Sequence, residues 1–138
     1  MIPMIDPEIE IMQVVKRFGL CGGMEEYVCR LAVELSNLGA NVTILCENKV
    51  NCPELDLPTV IELGAGRKKP RWFSHLQFSR KVESWVTRNP SQSRIIHSHE
   101  RISCHQVTTI HSTLFNFPPR GFPTPRKIIN EYLEKREV

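Results

Sequence analysis

With 138 residues, 41% of them hydrophobic and 24% charged, the chain has the size and balance of one globular domain with its own core, which excludes a disordered tail and a fibrous protein. A net charge of +3, with Lys and Arg gathered locally, excludes a broad nucleic-acid footprint. The five cysteines are odd in number and irregularly spaced, which fits reduced thiols in a cytosolic protein rather than disulfides. No stretch has the flanks of a signal peptide or the apolar length of a membrane span, so any membrane contact is expected to be peripheral.

In chain order, Ile9–Val15 reads as a buried first strand running into the loop Lys16–Gly23. The helix expected from Met24 to Leu38 places Tyr27, Val28, Leu31, Ala32, Leu35 and Leu38 at helical spacing, so one stripe can pack back on the strand. Gly39 stands where a helix-ending glycine belongs, and Val42–Cys46 is a continuous apolar run of the kind buried in a parallel sheet. Residues 48–58 read as loop and Thr59–Leu63 as a short third strand. A second helix is predicted from Trp72 to Arg88, with Trp72, Leu76, Val82, Trp85 and Val86 facing inward and Asn89-Pro90 ending it. Arg94–His97 and Val107–Ile110 read as the fourth and fifth strands, joined by a loop carrying His99, Glu100, Arg101 and His105. Prolines forbid regular structure across Phe115–Pro125, and Arg126–Val138 looks helical.

Strands alternating with helices predict an α/β fold, a mainly parallel sheet with right-handed crossovers and helices on its faces. In such a sheet a ligand sits beyond the carboxyl ends of the strands where strand order reverses, between the first and fourth. That rule gathers Lys16–Gly23, the loop bearing His99, Glu100, Arg101 and His105, and His111 around one crevice. The first loop exceeds the usual βα length of about 2–6 residues, as loops at the ligand end of a sheet do when they are functional. Gly22 and Gly23 lack a Cβ at the start of a helix, so an anion can approach their N–H groups; a plain tight turn is the alternative. His111, just past the fifth strand, is the residue expected to contact a sugar or phosphate. Lys16, Arg17, His99, Glu100, Arg101 and His105 are the remaining candidate contacts.

Other chemistries fit less well. The histidines with Cys104 invite a zinc site, but their spacing matches no compact ligand set, and no metal is expected. Neither a Gly-x-Ser-x-Gly elbow nor a P-loop is present, and Cys21 is the only thiol at a helix N-terminus. A dinucleotide site would use Glu47, a residue otherwise expected at a solvent-facing strand end, yet Gly19–Gly23 does not spell Gly-x-Gly-x-x-Gly. The basic run Arg67, Lys68, Lys69 and Arg71 reads either as a solvated loop or as a contact to an anionic acceptor or the inner membrane leaflet.

The segments Gly22-Gly-Met-Glu-Glu-Tyr-Val28, Leu31-Ala-Val-Glu-Leu35, Gly39 and Val42-Thr-Ile-Leu45 resemble the opening of the retaining family-4 glycosyltransferases of GT-B fold. Cys52-Pro53, Gly66-Arg67, Trp72, His97-Ser-His-Glu-Arg101 and Gln106-Val107 look most like the branch that glucosylates the lipopolysaccharide core. The resemblance implies a Rossmann-like three-layer domain spanning residues 1–138 that forms the acceptor side of a two-domain enzyme. It implies a nucleotide-diphosphate sugar as donor, UDP-linked in that branch, a glycan or glycolipid acceptor, and no obligatory cofactor or metal. It places Gly22 and Gly23 near the donor diphosphate and His111 near the transferred sugar, where the core-glucosyltransferase branch often has an acid. The family's second domain is absent from the chain, which reads as truncated and inactive alone. The alternatives are the nucleotide-binding domain of an NAD-dependent dehydrogenase and a non-catalytic interaction module.

Overall fold

The computed structural model describes residues 5–54 and 58–111; the expected proline-rich stretch 115–125 and helix 126–138 lie outside the described residues. In chain order the elements are β1 (Glu10–Val14), β2 (Arg17–Phe18), α1 (Gly23–Asn37), β3 (Asn41–Cys46), β4 (Asn48–Lys49), β5 (Thr59–Glu62), α2 (Arg71–Arg88), β6 (Arg94–Ser98) and β7 (Val107–Thr108).

The apolar runs of β1, β3 and β6 form the middle of a five-stranded sheet of order β5-β3-β1-β6-β7, and every pairing in it is parallel. Side chains alternate across such a sheet, and each face takes one helix. On one face Val28, Cys29 and Ala32 of α1 pack with Val42, Ile44 and Cys46. On the other, Phe78 and Val82 of α2 pack with Met12, Val14, Leu45 and Ile96. This helix–sheet–helix sandwich is the expected Rossmann-like fold, and the reversal of strand order falls between β1 and β6.

Three local expectations differ from the structure. The loop after β1 is not free: β2 pairs in parallel with β4, Arg17 opposite Asn48 and Phe18 opposite Lys49, inside what read as two loops. Phe18 is fully buried, and Gly19 follows at φ 142°, where a Cβ would stand 1.9 Å from the Val50 carbonyl oxygen. Only a glycine fits that crossing of two backbones. In α2 the inward face centres on Ser74, Phe78, Ser79 and Val82, with Trp72 and Leu76 at its half-buried flanks. Tyr27 of α1 and Leu38, which caps its C-terminus, are exposed rather than part of the core stripe.

Candidate functional site

The carboxyl ends of β1, β6 and β7 are zipped together past their last paired residues: the His99 N–H donates to the Val14 carbonyl at 3.0 Å, joining β6 to β1, and the Thr109 N–H to that of Ser98 at 2.9 Å, joining β7 to β6. The turn after β6 is closed by Ser98, whose Oγ donates to the Glu100 carbonyl at 2.7 Å. The crevice at the switch point is built by the first turn of α1, the start of α2, the loop after β6 and the segment after β7, whereas no residue of the expected Lys16–Gly23 loop is in its wall. It opens as a cavity of about 340 Å³ whose wall includes Met24, Glu25, His99, Glu100, Arg101 and His111.

Gly22 caps α1 in extended backbone, φ 178° and ψ 171°, and its N-terminal amides are among those a helix leaves without intrahelical partners. A Cβ on Gly23 would meet nothing within 4 Å, whereas one on Gly22 would meet the Glu25 carboxylate. The chain itself therefore leaves the space at Gly23 open. The wall of the cavity begins one residue later, at Met24 and Glu25. Glu25 is buried and bonded at 2.9 Å by the Arg17 guanidinium, which offsets its negative charge at the helix mouth.

Lys16 is likewise engaged. Its ammonium bonds the Ser74 hydroxyl of α2, and its backbone N–H donates to Glu100 Oε1 at 3.1 Å. Glu100 Oε2 lies 3.9 Å from His75 Nδ1, with the Glu100 side chain 10% exposed. Burial pushes the Glu100 carboxyl up to about 7, against the lowering effect of the Lys16 N–H and ammonium. Glu100 can therefore hold or release a proton near neutrality.

The histidines form a stack on the α1 face. His97 and His99 have ring centroids 4.3 Å apart, His99 and His111 5.5 Å, and the Tyr27 ring meets His99 and His111 edge-on at 6.0 and 5.5 Å. His97 Nε2 is 2.7 Å from Thr109 Oγ1. Burial, with the charges of His97 and His111, pushes His99 down to about 3. Among the described residues no group of His, Cys, Asp or Glu is arranged to hold a metal ion. Burial also pushes the Cys46 thiol up to about 12, which makes it inert as a nucleophile.

Of the residues picked from sequence, the fold brings His99, Glu100, Arg101 and His111 into the wall; Gly22 and Gly23 precede its first residue, Met24, and Lys16 and Arg17 do not line it. His105 lies further along the loop, outside the wall. The basic run splits: Arg71 lines the cavity, while Arg67, Lys68 and Lys69 are exposed, Arg67 lying 5.8 Å over the Phe73 ring. Glu47 is 5% exposed, not the solvent-facing strand end expected, and its backbone is tied to Lys16 and Gly64; buried there, it is not presented to a ribose.

Sequence reasoning missed Gln13, Tyr27 and His75. Gln13 carried a signal, a neutral polar residue in the middle of an apolar strand. His75 carried none, since its place depends on the helix register.

The sequence model of glycosyltransferase family 4 matches residues 21–137. The fold matches the crystal structure of WaaG, a glycosyltransferase involved in lipopolysaccharide biosynthesis, with a TM-score of 0.71 at 13% identity over 91% of this chain and 35% of that one. The chain thus spans about a third of that structure's length. No curated protein sequence matches.

Proposed function

The chain belongs to glycosyltransferase family 4, and on that premise we propose that it is the acceptor-side domain of a retaining hexosyltransferase. The enzyme moves a sugar from a nucleotide diphosphate, UDP in this reading, to a lipopolysaccharide-core or similar glycan. The observation that carries the proposal is the cavity at the switch point, with His111 in its wall and the unobstructed Gly23 one residue before its first wall residue, Met24. Unpartnered amides at a helix start favour the diphosphate, and His111 offers a polar contact to the sugar. No metal is needed in this reading, because the amides and a second α/β domain would stabilise the leaving diphosphate. Alone, the domain is expected to be inactive.

In the same reading Arg67, Lys68 and Lys69 attach the domain to the anionic cytoplasmic face of a membrane while Arg71 serves the acceptor. Among the described residues no helix is long and apolar enough to cross a bilayer. The test is sugar transfer from UDP-glucose to a lipopolysaccharide-core oligosaccharide by this chain combined with a family-4 C-terminal domain. Transfer by the pair and not by either part supports the proposal. Saturable NADH binding with no transfer refutes it.

A further inference from the structure

Gln13 is fully buried in the middle of β1, on the α1 face, opposite Ile44 on one side and His97 on the other. Its amide nitrogen has no hydrogen-bond partner among the described residues. A buried donor left unmet is a cost that an apolar side chain in this strand would avoid. The other end of the amide is committed: Oε1 lies 2.5 Å from His99 Nε2. A carbonyl oxygen only accepts, so His99 carries its proton on Nε2. His99 is neutral at ordinary pH for the reason of burial given above, and its Nδ1 is then a lone pair. That Nδ1 lies 3.2 Å from His111 Nε2, which must in turn be the N–H.

We propose that Gln13 and His99 are positioning residues that hold His111 as its Nε2–H tautomer, so that its Nδ1 presents a lone pair to the cavity. The chain of bonds runs from the centre of the sheet to its mouth, Gln13 to His99 to His111, and Tyr27 and His97 box in the rings. Its consequence is selective. A lone pair at Nδ1 accepts a hydrogen bond from a hydroxyl and repels a phosphate oxygen. His111 is therefore set to receive a sugar hydroxyl, and the anionic part of a donor falls to the amides at Gly22 and Gly23. This inference rests on the reading of His111 as a sugar contact and sharpens it.

The test is a long-range proton–nitrogen spectrum of the chain labelled with ¹⁵N-histidine, at neutral pH and without sugar. The expected result is an unaveraged pattern for both His99 and His111, with Nε2 protonated and Nδ1 bare. Gln13→Met, close in shape but without the acceptor, should give averaged shifts at both rings; His99→Phe should give them at His111. A His111 that carries its proton on Nδ1, or that averages in the wild type, overturns the proposal. So does a His111 pattern unchanged by Gln13→Met or His99→Phe. If neither variant folds, the wild-type spectrum still decides the tautomers. Because no sugar is present, its failure leaves sugar contact by His111 standing, and a His111→Ala enzyme with full transfer leaves the tautomer chain standing.

Discussion

Glu100 accepts the backbone N–H of Lys16 at 3.1 Å, so the residue that opens the first βα loop is held by one that follows β6. The first βα loop and the loop after β6, which carries Glu100 in the cavity wall, are thereby fixed to each other, and the Lys16 ammonium extends the tie to Ser74 on α2. The contact couples the shape of the site to a carboxyl that titrates near neutrality.

That coupling predicts a pH dependence. Glu100 is raised from 4.5 to about 7, so the folded state holds its proton more tightly than the unfolded state. Its contribution is complete below about 4.5 and is lost as pH rises through 7, on the order of 3 kcal/mol. His99 is lowered from 6.5 to about 3 and acts in the opposite sense: its contribution is complete above 6.5 and is lost as pH falls toward 3. Between pH 4.5 and 6.5 Glu100 opposes His99 and His97, whose pKa burial also lowers, so the wild-type profile should be shallower than that of a variant lacking the carboxyl. In Glu100→Gln the acid loss due to His99 should be exposed. Urea midpoints at steps from pH 4 to pH 8 check this, and parallel curves for the two proteins would contradict it.

The glycines divide by what they meet. Gly23→Val enters open space, so stability should change by no more than about 1 kcal/mol. Transfer by the assembled enzyme should nonetheless fall, by about 100-fold if the added side chain keeps the diphosphate from an N–H of the kind that stabilises a developing anion. Gly19→Ala should do the reverse, unfolding the domain early by about 3 kcal/mol, because its Cβ collides with Val50. Thermal melts alongside transfer rates separate the two, and a Gly23→Val enzyme with unchanged turnover refutes the role of the amides.

His111→Ala removes an exposed ring at the edge of the stack. Turnover should drop by about tenfold or more, equal to about 1.4 kcal/mol of transition-state binding, while unfolding free energy moves by less than about 1 kcal/mol. An equal loss of both would make the ring a packing element.

Reversal of Arg67, Lys68 and Lys69 to Glu should weaken binding to vesicles rich in anionic lipid, since each cation near such a surface contributes about 1 kcal/mol. Sedimentation with vesicles reads this, and retained binding would remove the run from the membrane contact.

Much of this architecture is legible in the sequence because continuous apolar runs such as Val42–Cys46 suit only a strand buried on both faces. The switch-point rule then assembles His99, Glu100 and His111 from distant segments. What stayed hidden follows from short range and mixed chemistry. Two-residue strands such as β2 and β4 have no periodicity to read. Tyr27 sits at core spacing but turns its ring to the histidines, as an amphipathic side chain at the edge of a stripe can. Ser74 and Ser79 read as polar yet are buried where α2 meets the sheet and the loop after β6. Gln13 is a polar residue inside an apolar strand, and its partner lies 86 residues away.

The most direct measurement is a titration of the ¹⁵N-labelled chain, joined to a family-4 C-terminal domain, with UDP-glucose. Shifts concentrated at the Gly22 and Gly23 amides and the His111 ring, with Glu10 and Arg94 at the opposite end of the sheet unmoved, are the predicted result. Saturable binding that leaves Gly22, Gly23 and His111 unshifted would contradict the account.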